Sequence, residues 1–263
     1  MSFLNKLGAF LIRDLKISLT YKFNLLIQLV SLIFVLTIAF FSLQDNIKGE
    51  INLSYIHFFL NLASIDFMLS AISVFSTEVR TAQILGTFEA MLLSNTSFFT
   101  VIFSSYARTL LRCIARTITY FFVCKIFFYA EISFIDMFIV VVSLIYNSIP
   151  FIAFGLISVS FIVAFKVGNI ANFFISLFAI FFSGIFFPIS SLPLFLQSIG
   201  NANPLKVGLE TTKILIKDNF VFLDLLPYLI ITTIEIILLF PVGIILLNYG
   251  LKLAKKNGNL SFY

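Results

Sequence analysis

The sequence predicts an all-α integral membrane protein with six transmembrane helices, and its hydropathy and composition carry that prediction. Long apolar stretches separated by short charged breaks fill most of the 263 residues. The chain is 60% hydrophobic and only 11% charged, with a mean hydropathy of +1.11, whereas soluble domains are about half apolar and a quarter charged. Crossing the ~30 Å hydrocarbon core takes about 20 apolar residues, which is the length of these stretches. We therefore expect one membrane domain, residues 1–263.

The chain begins with a predicted N-terminal interfacial helix at 1–22. Leucines at positions 4, 7, 11 and 15 share one stripe and basic residues occupy the opposite side, as in a helix that lies flat among lipid headgroups. The first span is predicted at 23–43. We expect it to be retained, because no small-residue cleavage site follows it. A polar break leads to the second span at 57–76, which Asp66 interrupts near its middle.

Residues 78–97 turn polar around a short apolar run, and we expect a cytoplasmic loop that contains a small helix. The third predicted span, 105–128, carries Arg108, Arg112 and Arg116 at a spacing of four. Residues four apart share one face of a helix, and a face with three arginines cannot point toward lipid. The fourth and fifth spans, predicted at 137–161 and 170–187, are nearly free of charge.

Residues 188–227 are too polar for a plain span but rich in Leu and Ile. We expect short re-entrant or external helices there, since irregular backbone at membrane depth survives only where protein covers it. The sixth span is predicted at 228–248.

The distribution of basic residues predicts the orientation of the chain. If both termini are cytoplasmic, twelve of the 17 Lys and Arg residues lie inside. The five outside are Lys48, Lys125, Lys206, Lys213 and Lys217. An excess of basic residues marks cytoplasmic loops, so we expect a multi-pass protein of the plasma membrane (bacterial inner membrane) with both termini in the cytoplasm.

The sequence contains no arrangement typical of an enzyme. Its one histidine, His57, cannot by itself build a His-based metal site or a Ser-His-Asp relay. No glycine loop ends in Gly-Lys-Ser or Gly-Lys-Thr. Cys113 and Cys124 lie on one predicted helix ~16 Å apart, too far for a disulfide. We therefore expect no catalytic residue, metal or cofactor on this chain. The basic residues form no patch, so nucleic acid is not an expected partner.

Charges inside the spans are the next indication of function, because each costs several kcal/mol unless it is paired or hydrated. Counting about 1.5 Å per residue places Asp66 at ~14 Å depth and Arg116 at ~16 Å. We predict an ion pair between them, with a proton relay as the alternative role of Asp66. Glu235 has no obvious partner, although Lys125 or Lys213 are candidates to reach it. The intramembrane charge set is Asp66, Arg108, Arg112, Arg116 and Glu235.

Four segments carry a family resemblance. EVRTAQILGTFEAMLLSN at 78–95 has an acidic and basic pair before Gly-Thr-Phe-Glu, and SGIFFPISSLPLFLQSIGNANPLKVGLE at 183–210 contains Gly-x-Phe-Phe-Pro-x-x-x-Leu-Pro. The others are RDLKISLTYKFNLLIQL from Arg13 and the final AKKNGNLSFY. In this order they resemble ABC-2 type transporter permeases, the transmembrane subunits of ABC exporters. Two departures are Asn95, where that family commonly has Pro, and Lys213, where it often has Arg.

The resemblance implies a permease subunit that forms a homodimer, or a heterodimer with a related chain, above two ABC ATPase subunits that bind ATP and Mg. Closure of the ATPases then opens the dimer interface outward by alternating access. The resemblance implies export, and the Phe-rich, largely uncharged spans favour an amphipathic small molecule, lipid or peptide as the cargo. The alternatives are export of a lipid-linked polysaccharide through a dimeric channel by the same machinery, an ATP-independent channel or carrier, and a membrane scaffold without transport.

The resemblance also assigns two sets of residues. An ATPase-coupling set in the loop at 78–97, whose small helix around Gly86 to Leu93 is the coupling element, comprises Glu78, Arg80, Gly86, Thr87, Phe88 and Glu89. An external gate, apolar and broken by proline, comprises Gly184, Phe186, Phe187, Pro188, Leu192 and Pro193. An ordinary amphipathic loop and a plain structural re-entrance are the respective alternatives.

Overall fold

A computed structural model describes residues 51–93, 98–127, 133–165, 170–216 and 222–256, and the single positions Phe34 and Ile38. Every regular element in these ranges is helical, which confirms the all-α class. The helices are α1 (Ile51–Ile84), α2 (Phe88–Leu93), α3 (Phe98–Phe127), α4 (Phe134–Phe165), α5 (Ile170–Phe181), a 3₁₀ helix (Ile189–Ser191), α6 (Leu194–Asn201), α7 (Pro204–Leu215) and α8 (Phe222–Lys256). The helix predicted at 1–22 and, apart from those two positions, the span predicted at 23–43 lie outside the described residues.

Three of the described helices are long and apolar enough to cross a membrane: α1 from Ile56 onward, α4 and α8. The length of α3 is also sufficient, but its arginines interrupt the apolar sequence. The 12 residues of α5 extend about 18 Å, less than a full crossing. Helix boundaries differ from those expected, since α1 continues to Ile84, α5 ends at Phe181, and α8 begins at Phe222 and ends at Lys256.

Helix α4 lies at the centre of the bundle, where it packs against α1, α3, α5, α7 and α8. Cross-helix bonds fix the relative direction of α4 and α8. The Tyr146 hydroxyl lies 2.7 Å from Thr233 Oγ1, and further along both helices Ser160 Oγ donates to the Leu246 carbonyl at 2.6 Å. The two helices therefore run parallel, so the chain between them returns to the side from which α4 started.

Helix α1 runs parallel to α4 and antiparallel to α3. Gly155 of α4 lies against the Ala71 carbonyl, and Ser64, earlier on α1, shares a cavity with Asn147, earlier on α4. At the far end of α1, Phe88 of α2 packs in the same core cluster as Ala254 of α8. Helix α2 therefore lies at the end of the bundle where α4 and α8 finish.

Helix α7 packs against α1, α4 and α8 with one face. Leu205, Gly208 and Thr212 are all buried. Its N-cap residue is Asn203, whose Oδ1 accepts a hydrogen bond from the Leu205 N–H at 3.1 Å and whose Nδ2 donates to the Ala179 carbonyl at 2.7 Å. The start of α7 is thus capped and covered by protein, as irregular backbone in an apolar environment requires.

Small residues let α8 approach α4 closely. A Cβ atom on Gly243 would lie 3.0 Å from the Ala153 carbonyl oxygen, and one on Gly250 would lie 2.7 Å from Ser160 Oγ and 2.8 Å from its carbonyl oxygen. Close backbone approach of this kind supplies the van der Waals contact that joins helices in a membrane.

Replacing Gly250 with valine should force α4 and α8 apart. We expect Gly250→Val to lower the free energy of unfolding by roughly 1–3 kcal/mol, as overpacking does. Cys113 and Cys124 are buried free thiols, so a thiol-reactive fluorophore reports unfolding on heating. The neighbouring Tyr249 is 61% exposed, and Tyr249→Val is the control that should leave the transition unchanged. Equal transitions for both variants would contradict the close contact.

Candidate functional site

The predicted ion pair between α1 and α3 is confirmed. Arg116 Nη2 lies 2.6 Å from Asp66 Oδ1, and the Asp66 side chain is 19% exposed. Beside the pair, Cys113 Sγ donates to Ser70 Oγ at 3.2 Å and accepts from Arg116 Nη2 at 3.7 Å. The carboxylate compensates a guanidinium that would be costly to leave alone at membrane depth.

A second ion pair, which sequence reasoning missed, joins the same two helices. Arg108 Nη2 lies 3.1 Å from Glu78 Oε2, so one member of the predicted coupling set meets one of the intramembrane charges. The register of the two helices was the available signal. Because α1 and α3 are antiparallel, a residue later on α1 than Asp66 faces a residue earlier on α3 than Arg116, as Glu78 faces Arg108. Arg80, two residues after Glu78, is half-buried.

The three arginines of α3 make different contacts. Arg108 and Arg116 cross to α1, whereas Arg112 is exposed and its Nη2 donates to Thr109 Oγ1, one turn earlier, at 3.1 Å. The two ion pairs are several helical turns apart and join α1 to α3 at two positions along their length. The pair of helices is therefore joined by charge as well as by apolar packing.

Glu235 of α8 stands apart from this network. Both of its carboxylate oxygens are buried, and neither has a hydrogen-bond partner in the part of the chain that the structure describes. Lys213 Nζ instead lies 3.3 Å from Glu210 Oε1, and Lys125 Nζ lies 5.0 Å from the centre of the Phe134 ring. The prediction that one of these lysines reaches Glu235 is wrong for the described residues, because Lys213 pairs within α7 and Lys125 lies over an aromatic ring of α4.

Gly86 determines how the chain leaves α1. Its φ is +68°, a left-handed conformation that favours glycine. The Gly86 N–H donates to the Gln83 carbonyl at 3.1 Å and the Thr87 N–H to the Ala82 carbonyl at 2.9 Å, which are the two bonds of a Schellman motif. A Cβ on Gly86 would meet nothing within 4 Å, so the backbone alone requires glycine here.

Helix α2 is anchored by one side chain and exposes an apolar surface. Phe88 is 1% exposed and belongs to the main core cluster, whereas Glu89 points outward. Ile84, Leu85 and Leu93 are 61%, 68% and 86% exposed. We call these three residues the apolar tip. It is held by the Gly86 turn at the end of the bundle where α4 and α8 finish.

The predicted gate segment forms a tight reversal after α5. Gly184 has a φ of +81°, and Phe187 packs edge to face on Phe181 with ring centres 5.0 Å apart. Phe186 is 76% exposed. Pro193 is the N-cap residue of α6. The predicted gate residues are therefore divided between the reversal, the caps of the 3₁₀ helix and the start of α6.

Ile189 is the residue of this segment that sequence reasoning missed. It is buried, and Pro188 and Leu192 flank its short 3₁₀ helix as caps. A Cβ atom would lie 3.4 Å from Ile189 Cγ1 if added to Gly184 and 3.1 Å from its Cδ1 if added to Gly200. The two glycines leave room for this side chain, which joins the reversal to α6. In the sequence, the two glycines on either side of Ile189 were the available indication that this side chain is buried.

The long apolar helices and the ion pairs among them define a multi-pass α-helical membrane protein. The family described as ABC-2 type transporter matches residues 8–216. The chain therefore belongs to the ABC-2 type transporter family, and membership implies association with an ABC ATPase. The match includes α1 to α7. No curated protein and no solved structure was found to match the chain.

Exchanging the charges of the Asp66–Arg116 pair tests their interaction. Asp66→Ala leaves the guanidinium of Arg116 without its carboxylate, and we expect the free energy of unfolding to fall by about 2 kcal/mol or more. The loss should be smaller than for a fully buried ion pair, because Arg116 is 43% exposed. Asp66→Arg combined with Arg116→Asp should recover a large part of that loss. Thermal unfolding monitored through the buried thiols measures both.

The partly exposed Lys213–Glu210 pair, three residues apart on α7, supplies the control. Glu210→Ala should cost less than about 1 kcal/mol, as for other exposed pairs. A double exchange no more stable than the single variants would show that the Asp66–Arg116 contact contributes nothing specific.

Proposed function

We propose that this chain is the membrane-spanning subunit of an ATP-driven exporter. Two copies, or one copy and a related chain, form the membrane unit, and two separate ATPase subunits bind ATP with Mg and hydrolyse it. Closure of the ATPases drives alternating access, which moves an amphipathic small molecule, lipid or peptide outward. Membership of the ABC-2 type transporter family supports the division of labour between permease and ATPase.

The apolar tip is the observation that carries this proposal. Its three side chains are mostly exposed, yet the Gly86 turn and the buried Phe88 hold them in one orientation. Large exposed apolar side chains on both sides of one turn are suited to a protein interaction, and a preorganised surface loses less entropy on binding than a flexible one. The tip is thus suited to bind a groove on the ATPase.

Motion of the tip has a direct route into the membrane helices. Phe88 belongs to the same core cluster as Val79 of α1 and Ile102 of α3, and the Glu78–Arg108 pair lies close to the same end. The Asp66–Arg116 pair holds the two helices together further along. A displacement of α2 is therefore expected to move α1 and α3 as one unit.

The distribution of charge supports a cytoplasmic position for the tip. Basic residues are concentrated at this end of the described helices, namely Arg80, Arg108, Lys252, Lys255 and Lys256. Cytoplasmic ends of membrane helices carry such an excess. An ATPase that uses cytoplasmic ATP would reach the tip from this side, with both chain termini also in the cytoplasm.

The surface of α5 supports an amphipathic cargo. Phe173, Phe174, Leu177 and Phe178 are each more than half exposed, and α5 carries no charged residue. Apolar and aromatic walls with few polar groups bind apolar ligands. In a permease dimer, such a face would suit the acyl or aromatic part of a cargo molecule.

Introducing a charge into the apolar tip should uncouple the ATPase. We expect Leu93→Glu to weaken ATPase binding by roughly tenfold or more, as for the loss of a central interface anchor, and to reduce transport in proportion. The measurements are the amount of ATPase that co-purifies with the tagged permease from its native cell, and ATP-dependent export by the reconstituted complex.

Leu194 is the matched control, since it is 82% exposed at the start of α6 and lies at the opposite end of the bundle. Leu194→Glu should leave ATPase binding unchanged. Export by the purified permease without any ATPase, or full ATPase binding by Leu93→Glu, would overturn the proposal.

A further inference from the structure

A groove lies between the end of α3 and the start of α4, at the opposite end of the bundle from the apolar tip. Both helices contribute to its walls, and the lining residues are Phe121, Phe122, Lys125, Ser133, Phe134 and Met137. Phe122 and Phe134 are 47% and 65% exposed, so the groove is open to its surroundings. Because α4 is apolar and long enough to cross a membrane and begins at Phe134, the groove lies where the span meets the lipid headgroups.

The wall of this groove is mostly apolar. Phe121 is 8% exposed and closes the groove on the side of α3. Phe134 and Met137 are three residues apart and therefore lie on one face of α4. Methionine is unbranched and flexible, so it packs well against partners of irregular shape. The wall thus suits a flexible hydrocarbon chain.

Lys125 supplies the positive charge of the groove. It lies in the last turn of α3, is exposed, and places its Nζ 5.0 Å from the centre of the Phe134 ring. The ring attracts the cation, but an ammonium also has three N–H donors. Among the residues that the structure describes, no carboxylate forms an ion pair with Lys125. Its ammonium is therefore available to an anion in the groove.

Ser133 adds a hydroxyl to the same groove. Its Oγ accepts a hydrogen bond from the Ile135 N–H at 3.3 Å, which leaves the hydroxyl hydrogen able to donate. Asp136 Oδ2 accepts from the Ser133 N–H at 3.1 Å, so this carboxylate is bound to the backbone at the start of α4. Lys125 and Ser133 thus offer an N–H and an O–H donor beside an apolar wall.

We propose that this groove binds an anionic phospholipid, with its phosphate on Lys125 Nζ and Ser133 Oγ and an acyl chain along the phenylalanine and methionine wall. An ammonium forms strong charge-assisted hydrogen bonds with a phosphate. Ligand sites that combine an apolar wall with a few polar groups use the polar groups to orient the ligand, which favours a lipid over a free phosphate ion. The lipid is a bound component of the bundle, so the proposal does not depend on the proposed export function.

Quenching of a single tryptophan by brominated lipid tests the site in the full-length protein. The chain contains no tryptophan, so Phe122→Trp places one fluorophore in the groove. The protein is reconstituted in vesicles of phosphatidylglycerol and phosphatidylcholine, and either lipid carries brominated chains. We expect phosphatidylglycerol to bind about fivefold more tightly than phosphatidylcholine, the contribution of one lysine at a membrane surface. Adding Lys125→Gln should abolish this preference.

Two matched controls separate this site from general attraction of anionic lipid. Phe178→Trp replaces a 53% exposed phenylalanine of α5, a helix without charged residues, and should show no preference between the two lipids. Lys213→Gln removes the same charge from α7 and, combined with Phe122→Trp, should retain the preference. If Lys213→Gln abolishes the preference as Lys125→Gln does, the attraction is general and the proposal fails.

Phe134→Trp provides a second fluorophore in the same groove, in case Phe122→Trp disturbs folding. It should report the same preference for phosphatidylglycerol and the same loss with Lys125→Gln. Equal quenching by the two lipids at both groove positions, or a preference that survives Lys125→Gln, would overturn the proposal.

Discussion

Two arginines of α3 are compensated by carboxylates of α1, and this compensation governs how the first half of the described chain is assembled. A guanidinium within an apolar helix requires a partner or water. The pairs Asp66–Arg116 and Glu78–Arg108 can form together only if the two helices are antiparallel in one register. The same register fixes the position of the end of α1 relative to α3, and the Gly86 turn then places α2 there.

Different chemistry joins the other helices to this pair. Helix α1 presents carboxylates to α3 and small or apolar residues to α4, where Gly155 lies against the Ala71 carbonyl. Helix α4 meets α8 through small residues along one half and through the Tyr146 and Thr233 hydroxyls along the other. In lipid, apolar burial does not drive helices together, so close packing and hydrogen bonds must hold them. In the described helices, the contacts of α4 with α1 and with α8 use these two.

The two candidate functional regions lie at opposite ends of this framework and differ in construction. The apolar tip is a short helix on a glycine turn, with one buried phenylalanine and three exposed apolar side chains. The segment after α5 is a reversal in which Ile189 fits between Gly184 and Gly200. Each uses a glycine with positive φ to reverse the chain, because a residue with a Cβ would be strained there.

The sequence by itself determined the helical class, the membrane environment, the small helix after the second span and the Asp66–Arg116 pair. Transfer free energy, helical periodicity and depth along a span depend on residues near in sequence. The Glu78–Arg108 pair, the isolation of Glu235, the burial of Ile189 and the packing of α7 against α1, α4 and α8 were decided by the tertiary structure. Each of these features depends on how two or more helices are rotated and aligned relative to one another. The pattern of residues along one helix does not contain that information.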